Sequence, residues 1–210
     1  MVDGVIVNSL NIGAEAYAEM GLSLVGIDCD LGEASVQIAS DSYSIGELAT
    51  RRLIDDGCSR ILCLRSNSRM RMPANKRTDA YLDVVEQAGL PALVREVEFV
   101  KPDDEKSAVV AKILDENPDI DGIFAGDDTM AAICLNVMKQ RSLSAPGDIK
   151  VVGADGARRT MTFMPDLTTV RQDIDRIGEL AAQSIIALVN GEKPESNIKL
   201  PVELIEGKTA

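Results

Sequence analysis

Val151-Val152-Gly153-Ala154-Asp155-Gly156 is the stretch on which the reading of this chain turns. Ile149 to Val152 is a short β-branched run, broken only by Lys150, and reads as a buried strand. A strand that runs into Gly-Ala-Asp-Gly sets a carboxylate, Asp155, at the carboxyl edge of a sheet, on a turn with little side-chain bulk around it. In open α/β sheets that edge is where ligands bind. The competing account is that Asp155 only hydrogen-bonds its own turn. Downstream, Pro165-Asp166-Leu167-Thr168-Thr169-Val170-Arg171-Gln172 leads into an amphipathic helix with Ile174, Ile177, Ala181, Ile185 and Leu188 on one face.

Working outward, apolar strands alternate with helical patterns, which predicts a parallel sheet covered by helices. Val5–Val7, Leu24–Ile27 and Val36–Ala39 read as strands, with a weak helix over Ala14–Met20. Ser44 with Glu47 reads as a capping box for a helix that ends at Gly57. Ile61–Leu64 is a strand, and Arg65 to Asn75 reads as a polar, irregular loop at its carboxyl end. A helix over Lys76–Ala88, a strand over Val94–Val100, a helix capped by Asp103 or Asp104, a strand over Ile120–Ala125 and a helix beginning at Asp127-Asp128 follow. Asp173 caps the last helix. Ile198–Ile205 closes as an extended strand carrying Pro201, whose missing N–H suits an edge or a crossover.

The core must be built from aliphatic side chains, because 45% of residues are hydrophobic but 3% are aromatic and Trp is absent. That suits α/β packing better than a β-sandwich. Lys and Arg number 22 against 34 Asp and Glu, a net charge of -12. Such a surface repels phosphate backbones, so these residues are expected not to bind DNA themselves. Four Cys lack Cys-x-x-Cys spacing and there is no His, which argues against the usual zinc sets and for reduced thiols in the cytoplasm. No apolar run approaches membrane-spanning length, and no basic segment with an apolar leader precedes Val5. No membrane partner, metal or cofactor is expected.

VVGADG followed by PDLTTVRQD resembles the effector-binding core of the lac-repressor (LacI/GalR) family of transcription regulators, whose fold is shared with periplasmic sugar-binding proteins. Asp3 to Val7 resembles the family's third core strand, and Gly46 to Leu62 its next helix and strand, with Cys58 where many members carry His. Asp127-Asp128-Thr129-Met130-Ala131, the run from Ala145 to Gly153 and Leu200-Pro201-Val202-Glu203-Leu204-Ile205 match further family stretches. The last of these is more typical of repressors than of periplasmic proteins. The resemblance implies an α/β, periplasmic-binding-protein-like fold: two parallel-sheet, Rossmann-like lobes joined by three crossovers, near Gln37–Asp41, Gln172 and Leu200. Residues 1–38 with 173–196 would form one lobe, and 39–172 with 197–210 the other. Effector would sit between the lobes and drive their closure. The family's helix-turn-helix, hinge helix and first two strand–helix units lie before the point that Asp3 matches. The first lobe is therefore expected to be incomplete, with an apolar edge that a second copy in a homodimer, or residues beyond these 210, would cover. DNA would be bound only through a domain absent from these residues.

By the same resemblance, Asn8, Asp28, Asp127, Asp155 and Gln172 match positions that contact effector. They suit a polyol, since carboxylates accept from hydroxyls while Asn and Gln both donate and accept. Aligning Ala80-Tyr81 with the family's Gly-aromatic pair puts Asn75 where the family has an effector-binding arginine, with Arg77 two residues on as a replacement. The acid pair that follows the strand is reduced to Asp155 and Gly156. So acidic a site implies a neutral sugar as effector, although Arg65, Arg69 and Arg71 leave room for an anion. Each residue also has a purely structural account: Asp127 or Asp128 as a helix cap, Asn8 as a turn residue, Asp28 as the partner of a nearby cation. Two other roles compete with the regulator. One is a transporter's solute-binding protein. The other is an enzyme holding Mg²⁺ on Asp127, Asp128 and Asp155 for phosphoryl transfer, although no catalytic His, P-loop or nucleophile elbow accompanies those acids.

Overall fold

The computed structural model describes residues 2–8, 21–29, 31–32, 35–67, 73–98 and 101–210. In chain order the strands are β1 (Gly4–Asn8), β2 (Ser23–Ile27), β3 (Val36–Ser40), β4 (Ile61–Asn67), β5 (Leu93–Glu98), β6 (Gly122–Ala125), β7 (Lys150–Asp155), β8 (Thr168–Gln172), β9 (Asn197–Leu200) and β10 (Val202–Ile205). The helices are α1 (Ser42–Asp55), α2 (Lys76–Gln87), α3 (Asp103–Glu116), α4 (Asp128–Gln140), α5 (Arg158–Phe163) and α6 (Ile174–Val189). They fall into two compact units; among the described residues the chain passes from one to the other at Ser42–Tyr43, Ala74–Asn75, Gln172–Asp173 and Pro201–Val202, Pro73 and Ala74 grouping with the smaller unit.

The smaller unit is a parallel sheet in the order β1-β2-β3-β9. Val25, Val36 and Ile38 pack against Ile177 and Ala181 of α6, while Leu24 turns to the opposite face with Val7, Cys29 and Leu31. The alternation of Leu24 and Val25 is the two-residue period of a strand covered on both faces.

The larger unit is a six-stranded sheet in the order β10-β8-β7-β6-β4-β5, parallel except where β10 runs antiparallel to β8. Leu62, Leu64, Ile123 and Val151 point to the face covered by α3 and α4. Ile61, Cys63, Phe124, Val152 and Ala154 point to the face covered by α1 and α2. Central strands buried on both sides read as apolar runs, as Ile61–Leu64 of β4 and the whole of β6 do. The phenol of Tyr81 ties α2 to the sheet: it donates to the Ile61 carbonyl at 2.7 Å and accepts from the Leu93 amide at 2.8 Å. Four buried cysteines are free thiols, and burial pushes those of Cys63 and Cys134 up to about 12.

Several boundaries differ from the sequence reading. The α1 helix starts at Ser42, so Ser44 stands inside its first turn rather than at the cap, and Glu47 pairs with Arg51 instead. The segment after Leu64 continues as strand to Asn67 because β5 pairs with it along that length. Pro102 holds the cap position of α3, leaving Asp103 and Asp104 in the first turn, where their charge favours the helix N-terminus. The closing strand is two strands in two sheets, broken at Pro201. The helical pattern at Ala14–Met20, and Arg69 and Arg71, lie outside the described residues.

Candidate functional site

Because β4, β6, β7 and β8 are mutually parallel, their carboxyl ends share one edge of the larger sheet. Asp155 is the last residue of β7 and Gln172 the last of β8. Asp127 follows β6 and caps α4, its Oδ1 accepting from the Met130 amide at 2.7 Å. Arg77 reaches the same edge from the first turn of α2, donating to the Gly126 carbonyl at 2.5 Å and to Asp155 Oδ1 at 3.4 Å. Gln172 Nε2 donates to that same oxygen at 2.6 Å. Asp155 Oδ2 accepts no hydrogen bond among the described residues, and the side chain is 33% exposed. One carboxylate oxygen is thus fixed from within, and the other is left to accept from outside.

The backbone marks the same place. Among the described residues, Asp28, Ser142 and Asp155 are the non-glycine residues with positive φ, 119° at Asp155. A carboxylate held in a region that favours glycine costs about 1–3 kcal/mol and persists where the surroundings over-determine it. Gly156 follows at φ 59°, and a Cβ there would lie 2.8 Å from the Arg171 Cα. A side chain at 156 would therefore be crowded against β8. The α2 helix start that carries Arg77 is reached closely by α1 at Gly46, where a Cβ would collide with the Arg77 carbonyl.

Burial pushes the Asp155 carboxyl up from its ordinary 3.8 to about 7, and Asp127 and Asp128 add to that, against Arg77 and Gln172. The neighbouring Arg171 is paired with Glu203 at 2.6 Å. A carboxyl raised on folding contributes stability that is complete below its unfolded value and is lost as pH rises through its folded one. Asp155→Asn, which cannot ionise, is expected to gain on the native chain between pH near 4 and about 7 and to keep that gain above it. Scanning calorimetry across pH 4–8 checks this; parallel curves for the two proteins would contradict it.

The sequence-derived residues distribute as follows. Arg77, Asp127, Asp155 and Gln172 come together at the edge of the larger sheet. Asn75 stands at the cap position before α2, so the guanidinium that reaches Asp155 comes from Arg77, two residues on. Asn8 ends β1 and Asp28 follows β2 at φ 52°, which places both at the carboxyl ends of adjacent parallel strands in the smaller unit. Arg65 is paired with Glu96, its Nε 2.9 Å from Oε1. The reading missed Asp128, which is 3% exposed and bonded to Thr169 and Gly156. Its being the second of two acids at a helix start made it look like an alternative cap. Asp127, Asp128 and Asp155 form no metal-holding cluster among the described residues, since Asp127 serves the helix and both Asp128 oxygens are engaged inside the fold.

The sequence pattern of the periplasmic binding protein-like domain matches residues 50–210. The sucrose operon repressor of Pediococcus pentosaceus is 32% identical over 211 residues, covering 100% of this chain and 64% of that protein. The ribose operon repressor of Halalkalibacterium halodurans is 29% identical over 210 residues, covering 99% of this chain and 62% of that one. The solved complex of the transcriptional regulator CelR with cellobiose superposes with a TM-score of 0.88 at 27% identity, covering 100% of this chain and 66% of that one. The chain thus spans less than two thirds of the length of these two repressors. These relatives are two operon repressors and a transcriptional regulator.

Proposed function

The chain belongs to the periplasmic binding protein-like domain family, in its lac-repressor-type branch, and from that premise we propose that it senses a neutral saccharide for a transcription regulator. The observation that carries this reading is the carboxylate of Asp155, held on one oxygen by Gln172 and Arg77 and presenting the other. Asp155 and Asp127 accept from sugar hydroxyls, Arg77 donates, and Gln172 sets the carboxylate's orientation. Asn75, Asn8 and Asp28 are proposed as further effector contacts, the last two from the strand ends of the smaller unit. Three acids around one arginine disfavour phosphorylated or carboxylated effectors. The names of the relatives point the same way, to sucrose, ribose and cellobiose.

The protein acts in the cytoplasm as a homodimer, and its DNA is read by a part of the polypeptide beyond these acidic residues. No helix among the described residues is long and apolar enough to cross a membrane. The test is scanning calorimetry of the chain with sucrose, cellobiose, ribose, gluconate and glucose 6-phosphate. A neutral sugar is expected to raise the melting temperature and the two anions to leave it unchanged. Stabilisation by the anions alone would overturn the neutral-sugar reading.

A further inference from the structure

Asp128 opens α4 one residue after its cap, yet its carboxylate serves two other elements. Oδ1 accepts from the Thr169 hydroxyl at 2.6 Å, and Oδ2 accepts from the Gly156 amide at 2.8 Å. Gly156 is the residue after Asp155, and Thr169 stands on β8 three residues before Gln172. Those two arms end in the pair that is itself bonded at 2.6 Å. A single buried carboxylate therefore ties the turn after β7 to β8, just beneath the atoms offered to a ligand. The sheet makes room for it at Gly153, where a Cβ would lie 2.5 Å from Asp128 Oδ1. Burying a carboxylate is costly even with its oxygens satisfied, and burial does push this one up.

We propose that Asp128 is the positioning residue of this site, its two oxygens setting where Asp155 and Gln172 present their polar atoms. The proposal rests on the effector reading above, so its test needs one arm that requires no effector. That arm is the Gln172 side-chain amide, whose proton exchange and chemical shift report the bond to Asp155 by NMR. The second arm is titration with sucrose. Asp128→Ala removes both ties. It is expected to expose the Gln172 amide to fast exchange and to weaken sucrose binding at least about tenfold. Asp128→Asn can accept from Gly156 and donate to Thr169 Oγ1, so it is expected to restore the amide signal and bring affinity to within about threefold of native. If Asp128→Ala does not fold, Thr169→Val removes one tie and is expected to shift the Gln172 signal and weaken sucrose about threefold or more. A folded Asp128→Ala, or failing that Thr169→Val, with a native Gln172 amide overturns the positioning role whether or not sucrose binds. A native chain that ignores sucrose counts against sucrose as effector, and the amide arm then decides alone.

Discussion

Gly153→Val is expected to destabilise the larger unit by about 2–6 kcal/mol, from overpacking of about 1–3 and from one buried polar group left unpaired at about 1–3. Gly153 lies in β7 between β6 and β8, and a Cβ there would meet Asp128 Oδ1 at 2.5 Å, a Leu167 methyl at 3.2 Å and Thr169 Oγ1 at 3.3 Å. None of these can retreat at low cost. Asp128 is pinned from both sides, Leu167 is 1% exposed, and Thr169 is fully buried. Either the carboxylate leaves its partners or the strand pulls away from its neighbours. Urea unfolding measures the loss directly, and a change below about 1 kcal/mol would mean the surroundings relax far more easily than their packing implies.

Arg77→Ala is expected to cost both affinity and stability. The Arg77 side chain is 12% exposed, and its guanidinium bonds to two different strand ends, the Gly126 carbonyl after β6 and Asp155 on β7. Truncation leaves that carbonyl short of its donor, at about 1–3 kcal/mol. It also leaves Asp155 beside Asp127 and Asp128 with no positive charge to offset them, so its carboxyl rises further and is mostly protonated at neutral pH. A neutral acid offers a weaker acceptor to a hydroxyl. Saccharide affinity is expected to fall at least about thirtyfold, roughly the loss of one charge-assisted contact and the degradation of a second. Arg77→Lys should not restore it, because a point ammonium cannot serve two acceptors as a planar fork does. Isothermal titration checks both variants; native affinity in Arg77→Ala would remove the arginine from the site.

The fold was largely legible because its central strands are written as apolar runs. Ile61–Leu64 and Ile149–Val152 read as strands by composition, and the structure buries them on both faces. What escaped the reading depends on partners distant in sequence. β7 runs on through Gly153 and Ala154 to Asp155, since pairing with β8 carries it past residues with little strand preference of their own. Thr168–Gln172 carried no strand assignment, yet it pairs on both edges, with β7 and with β10. The six residues of α5 are too few for a helical period to show.

In the site, Asp155 was found from its strand-end context and Gln172 from the family resemblance, which set it on a crossover. The choice between Asn75 and Arg77 was open in the sequence, because a two-residue shift in alignment decides it. The helix start puts the Arg77 guanidinium on Asp155. Asp128 was hidden for a different reason. Its partners, Gly156 and Thr169, lie 28 and 41 residues away, and nothing local separates a carboxylate that ties a sheet from one that caps a helix.

The central claim is that Asp155 receives a neutral sugar, and titration calorimetry of the native chain beside Asp155→Ala tests it most directly. Sucrose, cellobiose and ribose would each be run at pH 8, where the carboxyl is ionised. Saturable heat is expected with at least one of them in the native protein, and its loss in a variant that stays folded. Equal affinity in the two proteins would contradict it.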